Sequence, residues 1–232
     1  MIPAIPKGKA KSHALLGCYS NFTFLKGASH PDEMVATAAA LGWSTIGIAD
    51  VNSLAGIVRA HVAARDHHIR LLVGARLRPV DGPDVLVHPC DRKGYEGLSM
   101  LLSEANMRGS KATPALYLAD FARLPESTVL LAMPPRHPDA CYQAHLDKIL
   151  KIAKGQVFAG ICLYRDGADA ARCQMLGAFA NALGLRVAAA ADALYHIPAR
   201  RPLADVLACI REKQQLDYAG YILSRNAERH LI

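Results

Sequence analysis

Aromatic residues are scarce in this chain, at 6% of 232 residues with a single Trp, and Ala, Leu and Val carry most of its 52% hydrophobic content. That mix points to many helices packed on a buried parallel sheet. No apolar run approaches the roughly 18 residues that would cross a bilayer, and the start lacks a signal-peptide core. A cytoplasmic protein with no membrane partner is therefore expected. The six cysteines (Cys18, Cys90, Cys141, Cys162, Cys173 and Cys209) include no C-x-x-C pair, so they read as reduced, small apolar residues and form neither a disulfide frame nor a zinc site. There is no G-x-G-x-x-G after a strand and no G-K-[ST] loop, which removes nucleotide binding of those two kinds.

What the chain does contain is an excess of basic residues, 27 Lys and Arg against 20 Asp and Glu, for a net charge of +7. Lys7, Lys9 and Lys11 lie at one end, and Arg200, Arg201, Arg211, Lys213, Arg225 and Arg229 at the other. This fits either a solvated basic surface or a nucleic-acid neighbour.

Short β-branched runs alternate with alanine-rich helical stretches. Strands are expected over 15–19, 44–50, 70–77, 84–88, 128–132, 157–163 and 186–190. Helices are expected over 31–41, 53–66, 94–106, 116–122, 138–153, 169–183 and 201–213. Pro31 opens the first helix and Gly42 ends it. Such sustained alternation argues for a β/α barrel or an open doubly wound sheet in one domain over 1–232. In a barrel the chemistry sits at the strand ends, which directs attention to Tyr19, Ser20, Asp50, Val51, Asn52, Arg76, His88 and residues 192–196.

Four segments near those ends, with two more close to the C-terminus, carry a resemblance. They are Ser20-Asn21-Phe22-Thr23-Phe24-Leu25-Lys26-Gly27-Ala28-Ser29-His30-Pro31, then residues 50–56, 72–75, 94–98, 201–207 and 225–231. In this order, over nearly the whole chain, they resemble the PHP (polymerase and histidinol phosphatase) domain of bacterial C-family DNA polymerases. The version most similar is that of the error-prone, damage-inducible polymerase. The resemblance implies a distorted seven-stranded (β/α)7 TIM-like barrel. It implies residues 1–12 as a flexible start and 215–232 as the beginning of a connection to a polymerase core. The chain stops inside a segment that continues in the family and has no carboxylate motif for nucleotidyl transfer, so a domain-length piece is expected. Magnesium would belong only to a parent polymerase core.

An active centre of this family resembles a trinuclear metal site that generates hydroxide and clamps a phosphate oxygen. By the resemblance, Gly17 and Tyr19 stand at its H-x-H pair, Val51 after the retained Asp50, Arg76 at a Glu position, and Leu194 after the retained Asp192. A further histidine ligand falls near Asp84, with His88 close by. Two aspartates cannot assemble a multinuclear site, so no metal and no catalytic residue is expected. Instead, the Arg76 guanidinium is expected between Asp50 and Asp192, neutralising both; the plainer reading leaves Arg76 in solvent.

Cys18, Ser20, His88 and His196 could line a residual pocket. Cys18 has no identifiable base beside it and reads as a strand residue. His67 and His68 read as a helix-end cap. Trp43 and Phe22 are expected to pack the barrel, and Ser20 with Asn21 to form a side-chain turn.

Three functions follow. The first is a catalytically silent domain of an error-prone, translesion polymerase, serving as a platform for the core and meeting DNA or damage-response accessory proteins. The second is an active metal-dependent phosphoesterase or 3′–5′ proofreading exonuclease. The third is a nucleic-acid-binding module using the basic ends.

Overall fold

In a computed structural model, residues 13–110 and 113–232 are described. The expected flexible start, with Lys7, Lys9 and Lys11, lies outside them. Seven strands form one sheet in chain order: β1 (Leu15–Cys18), β2 (Thr45–Val51), β3 (Arg70–Leu77), β4 (Val85–Pro89), β5 (Thr128–Ala132), β6 (Gln156–Ile161) and β7 (Arg186–Ala189). Helices α1 (Pro31–Ala40), α2 (Ile57–Asp66), α3 (Arg92–Arg108), α4 (Ala140–Ile152), α5 (Asp169–Ala182) and α6 (Arg201–Glu212) accompany it, with 3₁₀ turns at Leu118–Arg123, Pro198–Arg200, Leu216–Tyr218 and Gly220–Ile222.

The sheet curls into a half-barrel of the expected seven strands. Just past β7 the chain comes back to β1, where Ala191 N donates to Leu16 O (2.8 Å) and Tyr19 N to Ala193 O (2.9 Å). Inside the curl, apolar residues from six strands pack together, among them Leu16, Ala49, Leu86, Leu131, Phe158 and Ala188. Outside it, Ile46, Ile48, Met34, Val35, Ala38 and Ala60 join β2 to α1 and α2. A larger cluster runs from β4 and β5 to α3, α4 and α5.

The expected parallel pairing fails at one strand. β4 is antiparallel to both β3 and β5, because residues 78–84 are too few for the crossover a parallel neighbour requires. Reversal puts the start of β4, beside Asp84, at the end of the sheet where β1, β2 and β3 finish, and carries His88 to the opposite end.

Element bounds differ mainly at α2, which starts at Ile57 and not at 53. Residues 52–56 form a turn in which Ala55 N donates to Ser53 Oγ (3.1 Å). Phe22 does not pack the barrel, being more than a third exposed. Trp43 is partly buried against the α1–α2 cluster, and its indole N–H donates to Ile232 O (2.8 Å). No helix among the described residues is long and apolar enough to cross a membrane.

Candidate functional site

The mouth of the half-barrel is where β1, β2, β3 and the segment after β7 end and β4 begins. Asp50 and Asp192 are both buried there, at 2% and 4% exposure, and they are held in different ways.

Asp50 ends β2 under the loop that follows β1. It accepts from Ser20 N (2.8 Å), Ser20 Oγ (2.6 Å) and Thr23 Oγ1 (2.6 Å). Thr23 Oγ1 in turn accepts from Val51 N (3.1 Å), and Ser20 Oγ from Phe22 N (3.2 Å), the side-chain turn expected of Ser20. Gly27 closes this loop because a Cβ there would sit 1.9 Å from Ser20 O. Ser20 and Thr23 of the 20–31 segment thus serve as neutral donors to one carboxylate.

Asp192 is bound by cations. Arg76 Nη2 lies 2.5 Å from Oδ1, and Arg229 Nη2 2.7 Å from Oδ2. Arg229 Nε also donates to the Asp192 carbonyl (2.9 Å), and the Tyr164 hydroxyl reaches Oδ2 at 3.3 Å. Asp192 takes a left-handed backbone (φ +48°), an uncommon conformation for a residue with a side chain. Burial alone would raise its pKa, but Arg229 and Arg76 outweigh that and hold the carboxyl below its usual range. Arg76 is itself 4% exposed, and its pKa stays raised despite burial because Asp192 faces it.

Arg76 does not bridge the two aspartates. Its second carboxylate is Asp84 (3.4 Å), which also takes a two-pronged contact from Arg78 (2.9 and 3.0 Å). The reason is register: Asp50 pairs with Ala75 and Val51 with Arg76. Successive strand side chains alternate faces, so Asp50 and Arg76 point to opposite sides of the sheet. Nor does Arg76 lie in solvent.

The other positions that the resemblance marks close around this network. Tyr19, Val51 and Leu194 belong to one apolar cluster with Ala28 and Tyr195. The Arg76 guanidinium and the Lys26 ammonium each sit 4.4 Å from the Tyr19 ring centre, and Lys26 Nζ donates to Tyr19 Oη (2.8 Å). Burial, then the Arg76 charge, brings the Lys26 pKa down to about 7. Gly17, in a left-handed conformation (φ +72°), leaves the space beneath: a Cβ would lie 2.8 Å from Leu86 Cδ1 and 3.7 Å from Arg76 Nη2.

The remaining pocket candidates do not meet at the mouth. The His88 ring lies over Gly74, where a Cβ would come within 2.4 Å of Nδ1, and bonds Val73 O (3.0 Å). Burial lowers its pKa and keeps it neutral. His196 pairs with Ser29 Oγ (2.7 Å), near Glu33. Cys18 is buried, and burial pushes its thiol up to about 12, which removes it as a nucleophile.

The family's metal centre does not fit these residues. Both mouth carboxylates on the inner side, Asp84 and Asp192, are taken by guanidinium groups. Arg76, Arg78, Arg229 and Lys26 surround them with like charge for any cation. Tyr19, Val51 and Leu194, at positions where the resemblance implies ligands, offer apolar packing. Among the described residues no group of three or more His, Cys, Asp or Glu is arranged to hold a metal ion.

Arg229, Lys26 and Tyr164 escaped sequence reasoning as site residues. Arg229 lay within a recognised segment, but its partner is 37 positions away. The segment carrying it crosses the mouth as a strap, with Leu194 N donating to Arg229 O (2.8 Å), Tyr195 bridged to His230, and Leu231 buried against the α1–α2 cluster.

A seven-stranded α/β half-barrel of this kind is also the fold of solved phosphoesterase-like proteins. A Bifidobacterium adolescentis protein assigned as a metal-dependent phosphoesterase superposes with a TM-score of 0.58 at 16% identity, over 79% of this chain and 88% of its own. An amidohydrolase of Chromobacterium violaceum, solved with bound sulfate and no metal, gives 0.58 at 13% identity over the same shares. Residues 16–187 match the PHP domain, and the chain belongs to that family. It is 42% identical over 229 residues to the error-prone DNA polymerase of Rhodopseudomonas palustris, covering 96% of this chain and 21% of that one. With the error-prone DNA polymerase of Caulobacter vibrioides it shares 40% over 220 residues, covering 94% and 20%. The chain spans about a fifth of the length of these curated relatives.

Proposed function

We propose that this chain is the PHP domain of an error-prone, translesion DNA polymerase, acting in the cytoplasm as a catalytically silent platform for a polymerase core. The observation that carries this reading is the double guanidinium grip on Asp192. An arginine from β3 and another from the C-terminal strap occupy the carboxylate that a metal cluster would need, and desolvated charges held this way are not readily exchanged for a cation.

The same grip gives the platform a physical meaning. It ties β3, the segment after β7 and the strap into one rigid mouth without any metal. The likeness to error-prone polymerases over a fifth of their length supports a polymerase core as the partner. A module that binds nucleic acid through its basic ends has less support, since much of the C-terminal charge is spent internally. Arg200 pairs with Glu33, Arg201 with Asp205, Arg211 with Glu212, and Arg229 with Asp192.

The test is turnover. In manganese or zinc, the chain is expected to release no phosphate from a phosphomonoester and to shorten no DNA strand from its 3′ end. Metal-dependent cleavage that disappears in Asp192→Asn would overturn the proposal in favour of an active phosphoesterase or exonuclease.

A further inference from the structure

Adjoining the Asp192 network, and sharing Tyr164 and Arg229 with it, lies a pocket of about 240 Å³ lined by Arg136, Tyr164, Ser224, Arg225, Asn226 and Arg229. Three parts of the chain meet there: the loop after β5, the loop after β6 and the strap. Positive charge exceeds its compensation. Arg225 has no carboxylate partner among the described residues. Arg136 meets Asp166 (3.1 Å), but that carboxylate also serves Arg172 (3.0 Å). Arg229 uses Nε and one terminal nitrogen on Asp192, leaving its other terminal nitrogen without a protein acceptor.

The walls are rigid. The Tyr164 ring is covered by the Arg172 and Arg229 guanidinium groups, at 4.9 and 5.3 Å. Asn226 pins the strap to the β6 loop through the Tyr164 and Arg165 carbonyls (2.8 and 3.0 Å). The two guanidinium groups over the Tyr164 ring make the walls cationic, which favours an anion over a stacked base. The volume is below the roughly 300–1,000 Å³ of pockets that enclose larger ligands. It suits a compact, multiply charged anion with several acceptor oxygens.

We propose that this pocket is a phosphate-binding site, in which Arg136, Arg225 and Arg229 donate to one phosphate group. Guanidinium forks match phosphate oxygens in geometry and charge. The group could belong to free phosphate or to a DNA strand. The site shares Arg229 with the Asp192 grip, but Arg136 and Arg225 take no part in holding Asp192, so varying them tests this site apart from the silent-platform reading.

The experiment titrates the 232-residue chain with inorganic phosphate, with a 5′-phosphorylated single-stranded oligonucleotide and with its 5′-hydroxyl counterpart. Arg136→Ala, Arg225→Ala and the control Lys154→Ala, an exposed charge just before β6 at the opposite end of the half-barrel, are measured alongside. Arg225 is exposed and Arg136 half-exposed, and thermal melts check that both variants stay folded. Each is expected to weaken binding on the order of tenfold, the loss of one charge-assisted contact, with Lys154→Ala unchanged. Phosphate binding with this pattern assigns a free-phosphate site. The pattern with the 5′-phosphorylated strand alone assigns a terminal phosphate, and with both strands equally a backbone phosphate. No binding by any probe, or binding equally affected by Lys154→Ala, overturns the site.

Discussion

Asp50 and Asp192 are alike in sequence, depth and position at a strand end, yet one is held by neutral donors and the other by cations. Asp50 takes a backbone N–H and two hydroxyls from a single loop, all within 30 positions of it. Asp192 takes Arg76 from 116 positions before it and Arg229 from 37 after. The first arrangement anchors the loop after β1 and asks nothing of a metal. The second makes a mouth closed by its own charges. Ser20 and Thr23 of the 20–31 segment build the Asp50 anchor.

The comparison breaks most visibly if the costs of removing the two carboxylates are equal. Asp192→Ala leaves Arg229 without a carboxylate and the buried Arg76 with Asp84 alone, and is expected to lower the unfolding free energy by about 3–5 kcal/mol, read from urea denaturation. Arg76→Met leaves Asp192 with Arg229 and should cost less, about 2–3 kcal/mol, while freeing Asp84 to Arg78 alone. Asp50→Asn keeps an acceptor and loses only the charge-assisted part of its bonds, at about 1–2 kcal/mol. An Asp50→Asn loss as large as that of Asp192→Ala would remove the distinction.

Proton linkage sharpens it further. The folded pKa of Asp192 lies below its ordinary value, so its stabilisation is fully present above about pH 4 and lost as pH falls through the folded value. Asp192→Ala should therefore flatten the acid limb of a stability–pH curve. Lys26 acts oppositely. Its folded pKa of about 7 lies below the ordinary 10.5, so the unfolded chain holds more protons between these values and stability rises with pH across that window. Lys26→Met should raise the melting temperature by a few degrees at pH 6, with the gain fading as pH climbs from about 7 to about 10.

Much of the fold could be read from alternation alone, since strands such as β3 and β5 combine β-branched or leucine-rich runs with clear turn residues around them. The reversal of β4 was harder, because direction is set by the length of the 78–84 connection and not by the composition of the strand. That reversal also decided the site: it brings Asp84 to Arg76 and takes His88 away. Positions such as Tyr19, Val51 and Leu194 were visible as departures from a ligand pattern, but that they pack against one another is a three-dimensional fact. The partner assigned to Arg76 was half right, because period-two alternation across the registered Val51–Arg76 pair turns Asp50 to the other face. Arg229 was out of reach, as pairing over 37 positions leaves no local periodicity to detect.

Metal content tests the central claim most directly. The chain and its Arg76→Glu variant are incubated with manganese or zinc, desalted and analysed for bound metal per chain. The account predicts far less than one equivalent on the unmodified chain, because Arg76 and Arg229 hold Asp192, and some gain in affinity once Arg76 becomes a carboxylate. One or more equivalents retained by the unmodified chain and lost in Asp192→Asn would contradict it.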